Sequence, residues 1–493
     1  MTMQLGEYAR YDGIGLAELI RRREVSAREV GELALHAIER LNPILNCVLQ
    51  TYPDRVAAQG ALPPGGVLAG VPTLLKDIYK FEKGALSECG SLLTKGLVGW
   101  YDSEVVLRLR RAGLVILGRS TVPELGWAST CDTRLAGLTR NPWNLDTYPG
   151  GSSSGAAAAV AAGIVPIAHA SDGGGSTRGP AAYTGLVGLK PTRGRVSDGP
   201  GSADPNAGMS AHLAVTRTVR DTAAMLDALQ GPAAGDPHQA PIPERPFLEE
   251  VGRAPRTTRI AFTTQTFDGN PLDPEIADAV RRTAGILDGL GHDLTEGSPR
   301  FSWPAFIHAT HVIWSAGMAY TCDVLGERLG RMPSAENLMR TSWATYLYGK
   351  SVTAHQYLAA LDEYNAVRRQ MGVFFERYDF LLTPTSTQLA LPHALHHQDQ
   401  DFSAEEWTHH IFKPESFTPV FNVTGQPAIS LPLFTSRNGS QIGIQLIGRF
   451  GDDTTVIRLS SVLETALPWH DRRPGIHVST STEMPSTRIA ADH

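Results

Sequence analysis

The chain has 493 residues, 42% of them hydrophobic and 19% charged, a composition of soluble globular proteins with a large core that excludes a disordered or fibrous chain. Its formal net charge of -6 is small for this length and leaves no basic footprint, which points away from nucleic acid or an anionic membrane and toward a small-molecule partner. Cys47, Cys89, Cys131 and Cys322 are far apart and form no CxxC pair, so the expectation is free thiols in a reducing cytoplasm, with neither a zinc knuckle nor a disulfide framework.

The opening MTMQLGEYARYDGIGLAEL is interrupted by charges before an apolar signal-peptide core can form. The longest apolar run, around residues 156–170, is broken by Gly163 and Pro166, so no membrane span is expected. Residues 14–50 carry apolar side chains at helical spacing, with SAREV as a helix start, and predict two helices. After the loop ALPPGG, the stretch VLAGVPTLLKDIYK reads as a short buried strand running into Lys76 and Asp77. SEVVLRLRRAGLVILGRST is a helix followed by a strand. SSGAAAAVAAG is an Ala-rich helix, IVPIAHA a strand, SDGGGST a turn, and the next helix is opened by Pro180.

Residues 231–258 are Pro-rich, yet RIAFTTQTF and the helical stretch after it repeat the strand-then-helix pattern, so the sheet is expected to continue across them. Residues 301–415 read as a helical insertion over the pocket, rich in Trp and Tyr up to Pro392. The tail from 474 to 493 has the composition of a mobile loop. The alternation of strands and helices predicts an α/β sheet sandwich, as one domain over residues 1–473 with a helical N-terminal part to about residue 60.

A serine hydroxyl is a weak nucleophile and requires a base within hydrogen-bond reach. Gly151-Ser152-Ser153-Ser154-Gly155 spells a nucleophile elbow at Ser153, but an elbow follows a buried strand, and TRNPWNLDTYPG is polar and broken by two prolines. His169, inside the apolar IVPIAHA, reads as a packed core histidine. Lys76 is flanked by Leu74, Leu75 and Ile78, where burial disfavours the ammonium and makes a base near neutral pH. Taken alone, this segment favours a snorkelling lysine or a salt bridge to Asp77 over a base.

Gly173, Gly174 and Gly175 precede Ser176 and allow successive N–H groups to aim at one concavity, which suits an oxyanion. A phosphate loop is disfavoured by the lack of Gly-x-Gly-x-x-Gly or a Walker lysine. The histidines of HALHHQDQDFSAEEWTHH, His393 to His410, follow no ligand spacing and predict a solvated loop at the pocket mouth, with no metal.

Lys76 within GVPTLLKD, then PGGSSSG, SDGGGSTRGPAA, GLVGLKPTRGRVS and FTPVFNVTGQPAISLPL, in this order, resemble the amidase signature family over about residues 15–465. Within it the motifs are most similar to the bacterial amidases of the 6-aminohexanoate cyclic dimer hydrolase subgroup. The resemblance implies a large twisted mixed β-sheet covered by helices on both faces. It further implies Ser176 as nucleophile, Ser152 as a bridging serine behind a cis peptide from Gly151, and Lys76 as base. The amides of Gly173, Gly174, Gly175 and Ser176 would form the oxyanion hole, and Gly126 and Trp127 would lie beside the acyl pocket.

The implied reaction is serine-type hydrolysis of an amide, with no metal or organic cofactor, by a monomer or homodimer acting on a small-molecule amide or carbamate. Hydrazide or ester hydrolysis, a glutaminase-type subunit of an amidotransferase, and a non-catalytic binding protein are the alternatives; intact Lys76, Ser152 and Ser176 argue against the last. Two positions depart from the family pattern: Ser154 stands where Gly is common, and Gly173 where Thr, Ile or Ala is common, which loosens one oxyanion donor.

Overall fold

Short apolar runs bounded by Gly, Pro and Asn become strands, and the computed structural model describes them within residues 3–58, 65–202, 204 and 206–480. In chain order they are β1 (Val48–Thr51), β2 (Pro72–Lys76), β3 (Val115–Ser120), β4 (Asp132–Thr133), β5 (Gly137–Leu138), β6 (Ile167–Asp172) and β7 (Val187–Lys190). They continue as β8 (Ala211–Thr216), β9 (Arg259–Phe262), β10 (Asp293–Glu296), β11 (Phe380–Pro384), β12 (Ala428–Thr435) and β13 (Gln441–Gly448). Eleven form one mixed sheet in the order β1-β3-β2-β6-β8-β7-β12-β13-β11-β9-β10, while β4 and β5 make a separate hairpin.

Every residue of β2, β3, β7, β8, β11 and β13 is buried, although successive side chains point to opposite faces. Both faces of the sheet are therefore covered, as the α/β expectation requires. Exposed positions of the sheet fall on the edge strands β1 and β10 and at single ends of β9 and β12. Strands on either side of the Pro-rich residues 231–258 belong to the same sheet.

Parallel pairing of β2 with both β3 and β6 sets the geometry that matters for chemistry. Thr73 and Leu74 lie opposite Ile167 and Ala168, so the carboxyl ends of β2 and β6, at Lys76 and Asp172, come out side by side. Ligands of open α/β sheets bind outside such carboxyl ends. The Ala-rich helix Ser154–Ala161 leads into β6 and starts at this same edge. Its small side chains let it approach closely: a Cβ on Gly155 would lie 2.3 Å from the Cys47 carbonyl oxygen.

Three expectations need correction. The second N-terminal helix ends at Leu45, because Asn46 turns to φ 47° and the Asn42 side chain accepts from the N–H groups of Cys47 and Val48, both at 2.8 Å. Val48–Thr51 is then free to pair with β3 as an edge strand. Residues 301–415 are not helical throughout. Phe380–Pro384 is an interior strand between β13 and β9, its five residues too few for a helix and wholly buried.

The tail is packed as far as residue 480. The Val478 N–H donates to the Ala162 carbonyl at 3.0 Å, and its side chain is buried in the main apolar core. Residues 481–493 lie outside the described residues. Among the described residues, no helix is long and apolar enough to cross a membrane.

Val478→Ala removes two buried methyl groups and is expected to cost about 1–3 kcal/mol of stability. Equilibrium urea denaturation checks this, and an unchanged midpoint would return residues 474–480 to the status of a loose loop.

Candidate active site

Lys76 ends β2 with no exposed surface. Its Nζ lies 2.9 Å from Ser152 Oγ, 2.9 Å from Ser171 Oγ and 3.2 Å from the Ser171 carbonyl oxygen. Asp77 points elsewhere, to Arg119 and to the N–H groups of Glu88 and Cys89, so the salt-bridge reading of Lys76 fails. Burial pulls the Lys76 pKa down to about 7, against the opposing charges of Asp172 and Cys131. The Cys131 thiol is itself pushed up to about 12 by burial and stays neutral near pH 7.

His169 is fully buried and accepts the Lys76 backbone N–H on Nδ1 at 3.4 Å. Its ring stacks on His212 at 5.6 Å, and burial, with the charges nearby, holds it well below the usual imidazole range. It is the packed core histidine that its apolar strand predicts. Ser153 is also fully buried, with its hydroxyl donating to the Ser171 carbonyl at 3.3 Å, which removes it as an exposed elbow nucleophile.

Ser152 follows a cis peptide from Gly151 and is 4% exposed. Gly126 flanks it, since a Cβ there would lie 3.4 Å from Ser152 Oγ. Ser176 is half-buried, and its carbonyl accepts the Ser153 N–H at 3.3 Å, which sets the two serine loops against each other.

The loop that carries Ser176 hangs on Asp172, the last residue of β6. Asp172 Oδ1 accepts the Gly175 N–H at 2.7 Å, and Oδ2 accepts the Thr177 N–H at 3.2 Å. Arg178 Nε and Nη2 both donate to the same carboxylate at 2.9 Å, as does Asn422 Nδ2. Burial alone raises this carboxyl, but the charge and hydrogen bonds of Arg178 reverse the effect and hold it well below the usual carboxylate range. These bonds start the helix at Arg178, two residues before Pro180.

Gly175 corrects one expectation. Its N–H is committed to Asp172, whereas the N–H groups of Gly173, Gly174 and Ser176 have no hydrogen-bond partner among the described residues. Three of the four expected loop amides are therefore left without a partner among the described residues. At Gly175, φ is 133° and a Cβ would lie 2.4 Å from Thr418 Oγ1, so only glycine fits.

Over this loop sits an aromatic wall of which the sequence reading named only Trp127. Trp314 would be 3.5 Å from a Cβ on Gly173, and Phe412 2.8 Å from one on Gly174. Trp127 packs on Trp314 with ring centres 4.8 Å apart and donates from Nε1 to Thr345 Oγ1 at 3.0 Å. The glycine at 173 thus leaves room in front of Trp314 that a larger residue would fill.

Phe412 ends a helix, Ala404–Phe412, inside the expected solvated histidine loop. Ser403 and Glu406 form a capping box that starts it, a signal present in the sequence as S-x-x-E. Among the described residues, no group of three or more His, Cys, Asp or Glu side chains is arranged to hold a metal ion. Ser171, Asp172 and Arg178 lay within the stretch already singled out, but only their contacts reveal their importance.

A family model described as Amidase matches residues 29–457. The chain is 35% identical over 491 residues to the 6-aminohexanoate-cyclic-dimer hydrolase of Paenarthrobacter ureafaciens, covering 96% of this chain and 98% of that protein. A lipoamidase of Enterococcus faecalis is 32% identical over 480 residues, covering 93% of this chain and 63% of that protein. The solved structure of a 6-aminohexanoate cyclic dimer hydrolase superposes with a TM-score of 0.91 at 34% identity, covering 95% of this chain and 99% of that one. That of a bacterial aryl acylamidase of the amidase signature family gives 0.86 at 27% identity, covering 96% and 99%.

Asp172→Asn strands the Arg178 charge in the interior and is expected to lower stability by about 3–5 kcal/mol. Urea denaturation measures it; a loss below about 1 kcal/mol would mean that the loop does not depend on this pair.

Proposed function

The chain belongs to the amidase signature family, and on that premise we propose that it hydrolyses the C–N bond of small amides through an acyl-enzyme on Ser176. The observation that carries this reading is the buried 2.9 Å contact between Lys76 Nζ and Ser152 Oγ. A neutral amine has two N–H donors and one lone pair. The Ser171 carbonyl can only accept, and Ser171 Oγ takes the second N–H, which leaves the lone pair for the Ser152 hydroxyl proton.

In the proposed reaction, Ser152 passes its proton to Lys76 as it takes the proton of Ser176, and Ser176 Oγ bonds to the substrate carbonyl carbon. The amides of Gly173, Gly174 and Ser176 receive the oxyanion. Collapse breaks the C–N bond, and the Lys76 ammonium returns a proton through Ser152 to the departing amine. Water then cleaves the ester, with the same relay as base.

The wall of Trp127, Trp314 and Phe412 suits an uncharged acyl chain or ring. Small linear or cyclic amides are therefore the first substrates to test, with carbamates offering the same carbonyl to attack. Four buried free cysteines accord with action in the reducing cytoplasm.

Ser176→Ala is expected to abolish turnover in a folded protein, and mass spectrometry after fluorophosphonate treatment of the wild type to show one adduct, on Ser176. An adduct on Ser153 or none at all would refute the assignment. Ser152→Ala should lower kcat on the order of 10²- to 10⁴-fold.

The Lys76 relay makes a further demand on pH. Because the ammonium form cannot accept a proton, kcat/KM should fall as pH drops through about 7. That limb should vanish in Lys76→Ala and survive in His169→Ala. An activated aryl ester, whose phenol leaves unprotonated, should lose less in Lys76→Ala than the matched amide. A limb that follows His169 instead would overturn the mechanism.

A further inference from the structure

Glu415 is buried against the loop that carries Ser176. A Cβ on Gly175 would lie 2.8 Å from its Oε2, and one on Gly179 only 2.6 Å from its Oε1, so the carboxyl fills the space against both glycines. Thr418 fastens the same segment to the loop, its hydroxyl lying 2.7 Å from the Gly174 carbonyl oxygen.

The groups that face Glu415 supply it with no bonded cation. Asp172 on β6 is an anion, and Tyr148 and Tyr183 are phenols that burial keeps neutral. Arg178 is near, but its donors go to Asp172, Asn422, Gln445 and the Thr418 carbonyl. Glu415 Oε1 has no hydrogen-bond partner among the described residues. Burial, reinforced by Asp172 and opposed by Arg178, pushes this carboxyl well above the usual range.

We propose that Glu415 is a positioning residue that acts as a neutral carboxylic acid, bracing Gly175 and Gly179 while keeping a second negative charge away from the oxyanion site. A carboxylate there would repel the oxyanion across a water-poor interior, where charges interact strongly. The effect on rate rests on Ser176 chemistry as read above; the protonation state does not.

Infrared difference spectroscopy of the full chain through an alkaline titration tests this directly. The expected result is a protonated-carboxyl band at neutral pH that is missing in Glu415→Gln and disappears from the wild type as pH rises. As it disappears, wild-type kcat should fall on the order of 10²-fold with KM little changed. Glu415→Gln, neutral and nearly the same shape, should keep most of its kcat and lose the alkaline fall.

No neutral-pH band that Glu415→Gln lacks, or a wild-type kcat that ignores its loss, would overturn the proposal, and a wild-type kcat that stays flat through the alkaline range overturns it even if the variant fails to fold. Failure of the amidase reading looks different: the band is intact while no amide is turned over and Ser176 takes no fluorophosphonate.

Discussion

The ion pair between Asp172 and Arg178, with almost no exposure on either side chain, is the constraint around which the catalytic edge of the sheet is organised. Taking two charges out of water costs as much as their attraction returns, so such a pair is weak evidence for stability and stronger evidence for geometry. Asp172 caps the loop at Gly175 and Thr177, and Arg178 reaches Gln445 on β13 and Asn422, which returns a bond to the Asp172 carbonyl. One carboxylate thereby fixes the end of β6, the turn carrying Ser176 and the start of the following helix.

Around that pair, one low-dielectric interior drives ionisable groups in different directions according to their partners. Lys76 has hydroxyl and carbonyl neighbours and is drawn toward the neutral amine. Asp172 has a guanidinium and remains an anion. His169 has a backbone N–H and a second imidazole and stays neutral. Protonation states separate in this way within one fold.

The sheet and the aromatic wall do different jobs. Parallel β2 and β6 hold Lys76 and Asp172 on rigid elements, whereas Trp314 and Phe412 come from the helical segment packed over them. A shared sheet is therefore compatible with relatives named for different substrates, since the walls set what reaches the loop.

Local chemistry made much of this protein legible in its sequence. A lysine among Leu74, Leu75 and Ile78 cannot be solvated once its strand is interior, three glycines before a serine favour a sharp turn, and the longer helices keep the period written in their sequence. The α/β class and the packed role of His169 follow from such short-range signals, whereas Lys76, Ser152 and Ser176 were brought together by the resemblance to a family pattern. What needed the tertiary structure were contacts between residues far apart in the chain. Arg178 meets Gln445 across 267 positions, Trp314 and Phe412 meet the glycine loop, and Glu415 meets Gly179. The strands Val48–Thr51 and Phe380–Pro384 and the packing of Val478 were decided likewise by distant partners. Residue spacing carries the period of a helix or strand, but it holds no record of which surface that element will be buried against.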